Sequence, residues 1–143
     1  MVLSANAVAR VPDAETLRAP FPADVEFVLS AMEAAPAPPV ERRRFARFAY
    51  RVRAVLRLFS DEPSAELWEL FTRQVSARSL DFVCRDRLPL SHGGWIALPS
   101  PDGSVLRAHC TILRCRPAGP GWFDGALYFN REQEVFLNAP PAV

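Results

Sequence analysis

The stretch Tyr50-Arg51-Val52-Arg53-Ala54-Val55-Leu56-Arg57-Leu58-Phe59 decides the fold. Tyr50, Val52, Ala54, Leu56 and Leu58 alternate with Arg51, Arg53, Val55, Arg57 and Phe59, and a period of two describes a strand with one buried and one wet face. Asp61-Glu62-Pro63-Ser64 supplies the turn that follows, because Pro presets φ and Asp and Ser bond their own backbone. Residues 65–75 read two ways. Leu67, Leu70 and Phe71 have helical spacing, whereas Leu67, Glu69, Phe71 and Arg73 would lie along one strand face. A strand pairing back onto the first is the expectation. Further strands are expected at 80–85, 95–98, 105–115 and 123–129, divided by turn chemistry at 89–94, 101–103 and 117–121. Short strands at regular spacing point to a mainly β protein and a small closed barrel, which leaves no sheet edge exposed.

Upstream of that region, Val25, Val28, Leu29 and Met32 form an i, i+3, i+4, i+7 set, the mark of one amphipathic helix. Asp24 near its start suits the positive end of the helix dipole. The polar stretch before it is left unassigned. Ala35-Pro36-Ala37-Pro38-Pro39 ends the helix and favours an extended linker. Downstream, Val135, Phe136 and Leu137 precede Pro140-Pro141 and read as a short helix or docked tail. The chain thus divides into a helix and linker at 1–40, a barrel at 41–130 and a tail at 131–143.

With 143 residues, the chain can bury roughly two-thirds of the surface it exposes when unfolded, so a single core needs no staples. Apolar content of 50% and charged content of 23% exclude wholesale disorder. Net charge is +1, but residues 41–59 hold seven arginines against one glutamate. All 17 basic residues are Arg, the side chain suited to planar, bidentate recognition of phosphate and guanine edges. Cys84, Cys110 and Cys115 lack the spacing of a metal or redox motif and read as reduced, partly buried thiols. With His92 and His109 the only histidines, no metal site is expected. There is no basic n-region followed by an apolar stretch, and no apolar run approaches a bilayer span of roughly 20 residues. A cytoplasmic protein without membrane insertion is the expectation.

No catalytic constellation emerges. Asp61/Glu62 and Glu66/Glu69 read as solvated charge, because acid–base work wants a desolvated pocket. His92 before Gly93-Gly94 has no nucleophile elbow or partner histidine, and His109 shares a polar strand face with Arg107 and Thr111. The arginine segment Glu41-Arg42-Arg43-Arg44-Phe45-Ala46-Arg47 stands out instead. It is either a solubilising stripe continued by Arg51, Arg53 and Arg57, or a set of donors converging on one polyanion.

Arg42-Arg43-x-x-x-Arg47, leading from a linker into a strand, resembles the Arg-Arg-x-x-x-Arg motif of PilZ domains. The family's second motif, Asp/Asn-x-Ser-x-x-Gly, has its counterpart at Gln74-Val75-Ser76-Ala77-Arg78-Ser79, and Gly125-Ala126-Leu127-Tyr128-Phe129 resembles its closing strand. The resemblance covers residues 41–130 and implies a six-stranded antiparallel barrel that receives the bacterial second messenger c-di-GMP, with no other cofactor. It implies that Arg42, Arg43 and Arg47 grip phosphates and stack on guanine, that Ser76 and Gln74 bond a guanine edge, and that ligand orders the N-terminal segment. Two positions depart from the motif. Gln74 is a longer amide, and Ser79 stands where Gly would permit φ > 0, a conformation costing a serine about 1 kcal/mol. The alternative is a PilZ-like module that has lost nucleotide binding and docks a protein partner. A third reading, weak nucleic-acid binding through Phe45, Phe48, Tyr50 and the arginines, is opposed by the near-neutral charge. For a working site, Arg43→Ala and Arg47→Ala are each expected to abolish c-di-GMP binding in a calorimetric titration with little change in melting temperature.

Overall fold

The computed structural model describes residues 10–33 and 46–137, so Arg42 and Arg43 lie outside the described residues. Among the described residues, seven strands form one sheet: β1 (Phe48–Ala49), β2 (Arg53–Leu58), β3 (Trp68–Val75), β4 (Ser79–Cys84), β5 (Gly93–Pro99), β6 (Val105–Gly119) and β7 (Trp122–Phe129). Every pairing is antiparallel, and the order β1-β3-β2-β5-β6-β7-β4 is closed by a further β3–β4 pairing. β2 to β7 are therefore a closed six-stranded barrel, and the ambiguous stretch resolves into a strand from Trp68 to Val75, not a helix. Tertiary pairing decides that ambiguity: Leu70 enters the barrel core while Phe71, pointing the other way, packs beneath the N-terminal helix.

β1 and β2 are two halves of one run along β3. Between the pairs Ala49↔Gln74 and Arg53↔Phe71, Tyr50, Arg51 and Val52 face only Thr72 and Arg73. The extra residue makes a bulge. Thr72, fully buried, repairs it: its Oγ1 accepts from Val52 N at 2.9 Å and donates to Tyr50 O. β3 bulges again toward β4, where Arg73 falls between Thr72↔Phe82 and Gln74↔Asp81.

Inside the barrel, Leu56, Leu58, Leu80, Phe82, Ile96, Leu98, Ile112 and Leu127 are buried. Close packing demands two glycines. A Cβ on Gly94 would lie 2.1 Å from Arg57 O of the neighbouring β2, and one on Gly125 would lie 2.4 Å from the buried Phe82 ring. The tail forms a 3₁₀ turn, Glu134–Phe136, that carries Phe136 into the core, stacked on Phe129 and edge-on to Tyr50. β6 continues to Gly119 through Pro117, which the sequence reading placed in a turn. The register shifts between Pro117 and Gly119, and such an irregularity accommodates a residue without an N–H; the reversal falls at Gly121, whose φ is +77°.

Two helices among the described residues cover the outside. α1 (Ala14–Leu17), in the stretch the sequence left unassigned, is capped by Asp13, whose carboxylate accepts from Thr16 N at 2.8 Å. It seats Leu17 on Val55, Leu67 and Ala97. α2 (Ala23–Glu33) buries Val25, Val28 and Leu29 against Phe71, Val83 and Trp122. Arg51, which precedes β2, and the β2 arginines Arg53 and Arg57 all have partners within the protein. Arg51 meets Glu26 at 2.7 Å, Arg53 donates to Pro20 O at 2.7 Å and lies over the Phe71 ring, and Arg57 ties down Glu62 O and Ala65 O at 2.8 and 2.7 Å. On the same side, Arg85 bonds Asp24 of α2 and holds its carboxyl below the usual range. No described helix is long and apolar enough to cross a membrane.

Thr72→Val keeps the shape of the side chain and strands Val52 N–H and Tyr50 C=O at a buried bulge. A loss of about 1–3 kcal/mol is expected, read as a lower urea midpoint with an unchanged slope.

Candidate functional site

Four of the six residues singled out by the motif resemblance lie within the described chain, and the fold brings them to one corner. Arg47 directly precedes β1, Gln74 is near the end of β3, and Ser76 to Ser79 make the hairpin from β3 into β4. Ser76 holds that hairpin. Its Oγ accepts from Arg78 N and Ser79 N at 3.2 and 3.0 Å and lies 3.0 Å from Ser79 Oγ, while Ser76 N donates to Ser79 O at 2.8 Å. Serine suits the position because its short hydroxyl reaches amides two and three residues on. Ser79 is half-buried with ordinary negative φ; the one non-glycine at positive φ among the described residues is Ser91. The strain expected of a serine in place of glycine at 79 therefore does not arise.

Arg47 has a partner the sequence did not point to. Its Nη1 donates to Asp81 Oδ2 at 2.6 Å, and the Asp81 side chain is only 7% exposed. Asp81 pairs across the ladder with Gln74, so the two side chains share one face. The motif's carboxylate is absent at 74, but β4 supplies one directly opposite. A strand pattern alone hides this, because Asp81 interrupts the apolar run Leu80-Asp81-Phe82-Val83 and only the register reveals its neighbour.

The same outer face continues across β7 to β6. Asp124, with its side chain 12% exposed, accepts from Arg114 Nη2 at 3.1 Å. Arg73 Nη1 and Arg116 Nη2 stand 3.8 and 3.7 Å from its two oxygens. Between this group and the Arg47–Asp81 pair lies Ala126, which is opposite Asp81 on one side and Arg114 on the other.

Elsewhere the polar residues serve the fold. Asp61 accepts from Leu58 N at 2.9 Å and Trp68 Nε1 at 3.0 Å, so it is a turn anchor rather than a solvated charge. Burial raises the Glu69 pKa against the pull of Arg53, 3.8 Å away. Cys84 donates to Asp86 O at 3.1 Å, and Cys115 Sγ accepts from Leu88 N at 3.3 Å. Burial pushes the Cys110 thiol up to about 12. All three thiols are buried and free, and no cluster of three or more His, Cys, Asp or Glu among the described residues could hold a metal. His92 Nδ1 sits 3.3 Å from Ser60 Oγ, and His109 is edge-on to Phe59.

No family model and no curated protein matches the chain. Among solved structures, the Bacillus subtilis inhibitor of motility (MotI/DgrA) superposes with a TM-score of 0.55 at 12% identity, covering 68% of this chain and 49% of that one. The chain thus spans about half the length of that protein. At this identity the likeness is one of fold, and it accords with a PilZ-like barrel.

The Arg47–Asp81 contact corrects one expectation of the sequence. Arg47→Ala removes a partner of a buried carboxylate, so the protein is expected to lose about 1–3 kcal/mol, not to keep its melting temperature. Arg78→Ala, on the exposed crest of the hairpin, is expected to leave stability within about 0.5 kcal/mol. Chemical denaturation of both variants measures the contrast.

Proposed function

We propose that this chain is a PilZ-like receptor module for c-di-GMP. The observation that carries the reading is the convergence of Arg47, Gln74, Ser76 and Ser79 on one corner of the barrel, with Arg42 and Arg43 only a few residues upstream in sequence. Guanidinium forks match phosphate oxygens, and their flat faces stack on purines. Gln74 offers a donor and an acceptor to a guanine edge. Asp81, opposite it, contributes the carboxylate that position 74 lacks. Ligand phosphate would compete with Asp81 for Arg47, so binding exchanges an internal ion pair for an external one.

Such an exchange would reach α2. Asp81 and Val83 lie two apart on β4 and face outward together, and Val83 is part of the seat of α2. The fold likeness to the Bacillus subtilis inhibitor of motility supports a regulatory output. A module that docks a protein partner without nucleotide is the second reading. It is favoured by the structural use already made of Arg47 and the Ser76 hydroxyl.

Calorimetric titration separates them. The wild-type chain is expected to bind c-di-GMP at least about tenfold more tightly than the linear dinucleotide, equivalent to about 1.4 kcal/mol. Arg43→Ala, which keeps both members of the Arg47–Asp81 pair, is expected to remove that binding. A folded wild-type protein that releases no binding heat and shows no ligand-dependent rise in melting temperature would hand the lead to the partner-docking reading.

A further inference from the structure

We propose that Arg73, Arg114 and Arg116 form a phosphate-binding cradle, built on Asp124 and separate from the linker arginines. The three side chains come from β3 and β6 and meet at one carboxylate on β7 between them. Arg73 Nη1 and Arg114 Nη2 both approach Asp124 Oδ1, at 3.8 and 3.1 Å. These two nitrogens therefore lie within about 7 Å of each other, close enough for like charges to repel. Among the described residues, three guanidiniums meet this one carboxylate, an excess of two positive charges that equals the charge of one phosphate dianion.

Donor capacity is also left over. Of the three, Arg114 is within hydrogen-bonding distance of Asp124, and its Nε is buried with no hydrogen-bond partner among the described residues. Arg73 and Arg116 stand beyond that distance, and the Arg116 side chain is 66% exposed. An ion-pair network built only for stability would place its charges in closer balance. Asp124 instead fixes the base of the group, with its side chain 12% exposed, and leaves guanidinium donors above it. Register adds a second argument. Arg116 is directly opposite Asp124, Arg114 is directly opposite Ala126, and the bulge at Arg73 turns that side chain onto the same face. Ala126, small and central, provides a floor between the cradle and the Arg47–Asp81 corner. A dinucleotide, whose two phosphates are held apart by ribose, would reach both; a single phosphate or pyrophosphate would occupy the cradle alone.

The test uses sodium pyrophosphate, with c-di-GMP and sodium chloride at matched ionic strength as the other arms. The readout is the arginine Nε–Hε resonances of the isotopically labelled full chain. Pyrophosphate is expected to shift Arg73, Arg114 and Arg116 saturably, and chloride to shift none. Arg116→Ala, at an exposed side chain, is expected to weaken pyrophosphate about tenfold while the protein stays folded. Arg107→Ala, on another part of β6, is expected to leave it unchanged. Pyrophosphate shifts without any c-di-GMP binding would uphold the cradle and remove the dinucleotide reading. Competition between the two ligands would uphold both and place a dinucleotide phosphate in the cradle. No saturable shift with pyrophosphate, or equal affinity in Arg116→Ala, overturns the cradle, even if c-di-GMP binds elsewhere.

Discussion

The hydrogen bonds between β3 and β4 hold the rest of the molecule in place. Without them the other pairings make an open sheet with two bare edges, β3 bounded by β1 and β2 on one side only, and β4 by β7 alone. With them the sheet becomes a ring, and an apolar interior from Leu56 to Phe129 is enclosed. The ring closes through a hairpin whose geometry depends on one hydroxyl, that of Ser76. The end of β7 and the tail after it are tied to the hairpin as well: Gln133 N and Phe129 N donate to the carbonyls of Ala77 and Arg78 at 2.6 and 2.7 Å.

That dependence gives the hairpin two roles that bear on each other. A turn rigid enough to close a barrel is also a fixed platform on which Gln74, Asp81 and Arg47 keep constant spacing. The arginines divide along the same line. Arg51, Arg53, Arg57 and Arg85 are tied to carbonyls, carboxylates and aromatic faces that bind the helices and the β2–β3 turn to the barrel. Arg73, Arg114 and Arg116 share one acceptor among three. Identical residue type thus conceals two kinds of environment, distinguished by how many acceptors each guanidinium meets.

Much of the barrel was legible because alternation is a local signal. Tyr50 to Leu58 shows it plainly, and Val55, which breaks the polar side of that pattern, is buried under Leu17 of α1. α2 was legible from four apolar residues at helical spacing. α1 was not, since a helix of four residues has no room for a period; its one sign was Asp13 ahead of Ala14-Glu15-Thr16, a cap without a following stripe. Pro117 misled because proline usually marks a turn, whereas here a register irregularity on a long strand absorbs it. In the candidate site, Arg47, Gln74, Ser76 and Ser79 were legible through motif spacing. Asp81 and Asp124 were not, because each sits in a run of apolar neighbours and takes its meaning from a strand far away in sequence. Ser79 was misjudged for a related reason: the conformation of a hairpin follows from its hydrogen bonds, which residue identity specifies only in part.

Phe136 extends the folding unit past its last strand. Its ring occupies the barrel interior against Tyr50 and Phe129, yet it arrives on a segment that follows β7 and pairs with no strand. A polypeptide emerging from the ribosome can therefore complete every strand pairing and still lack its plug, with an apolar mouth open to water. Such a half-finished barrel would be a natural client for a chaperone. The interval between forming the ring and sealing it would then be the period in which this protein is most exposed to aggregation.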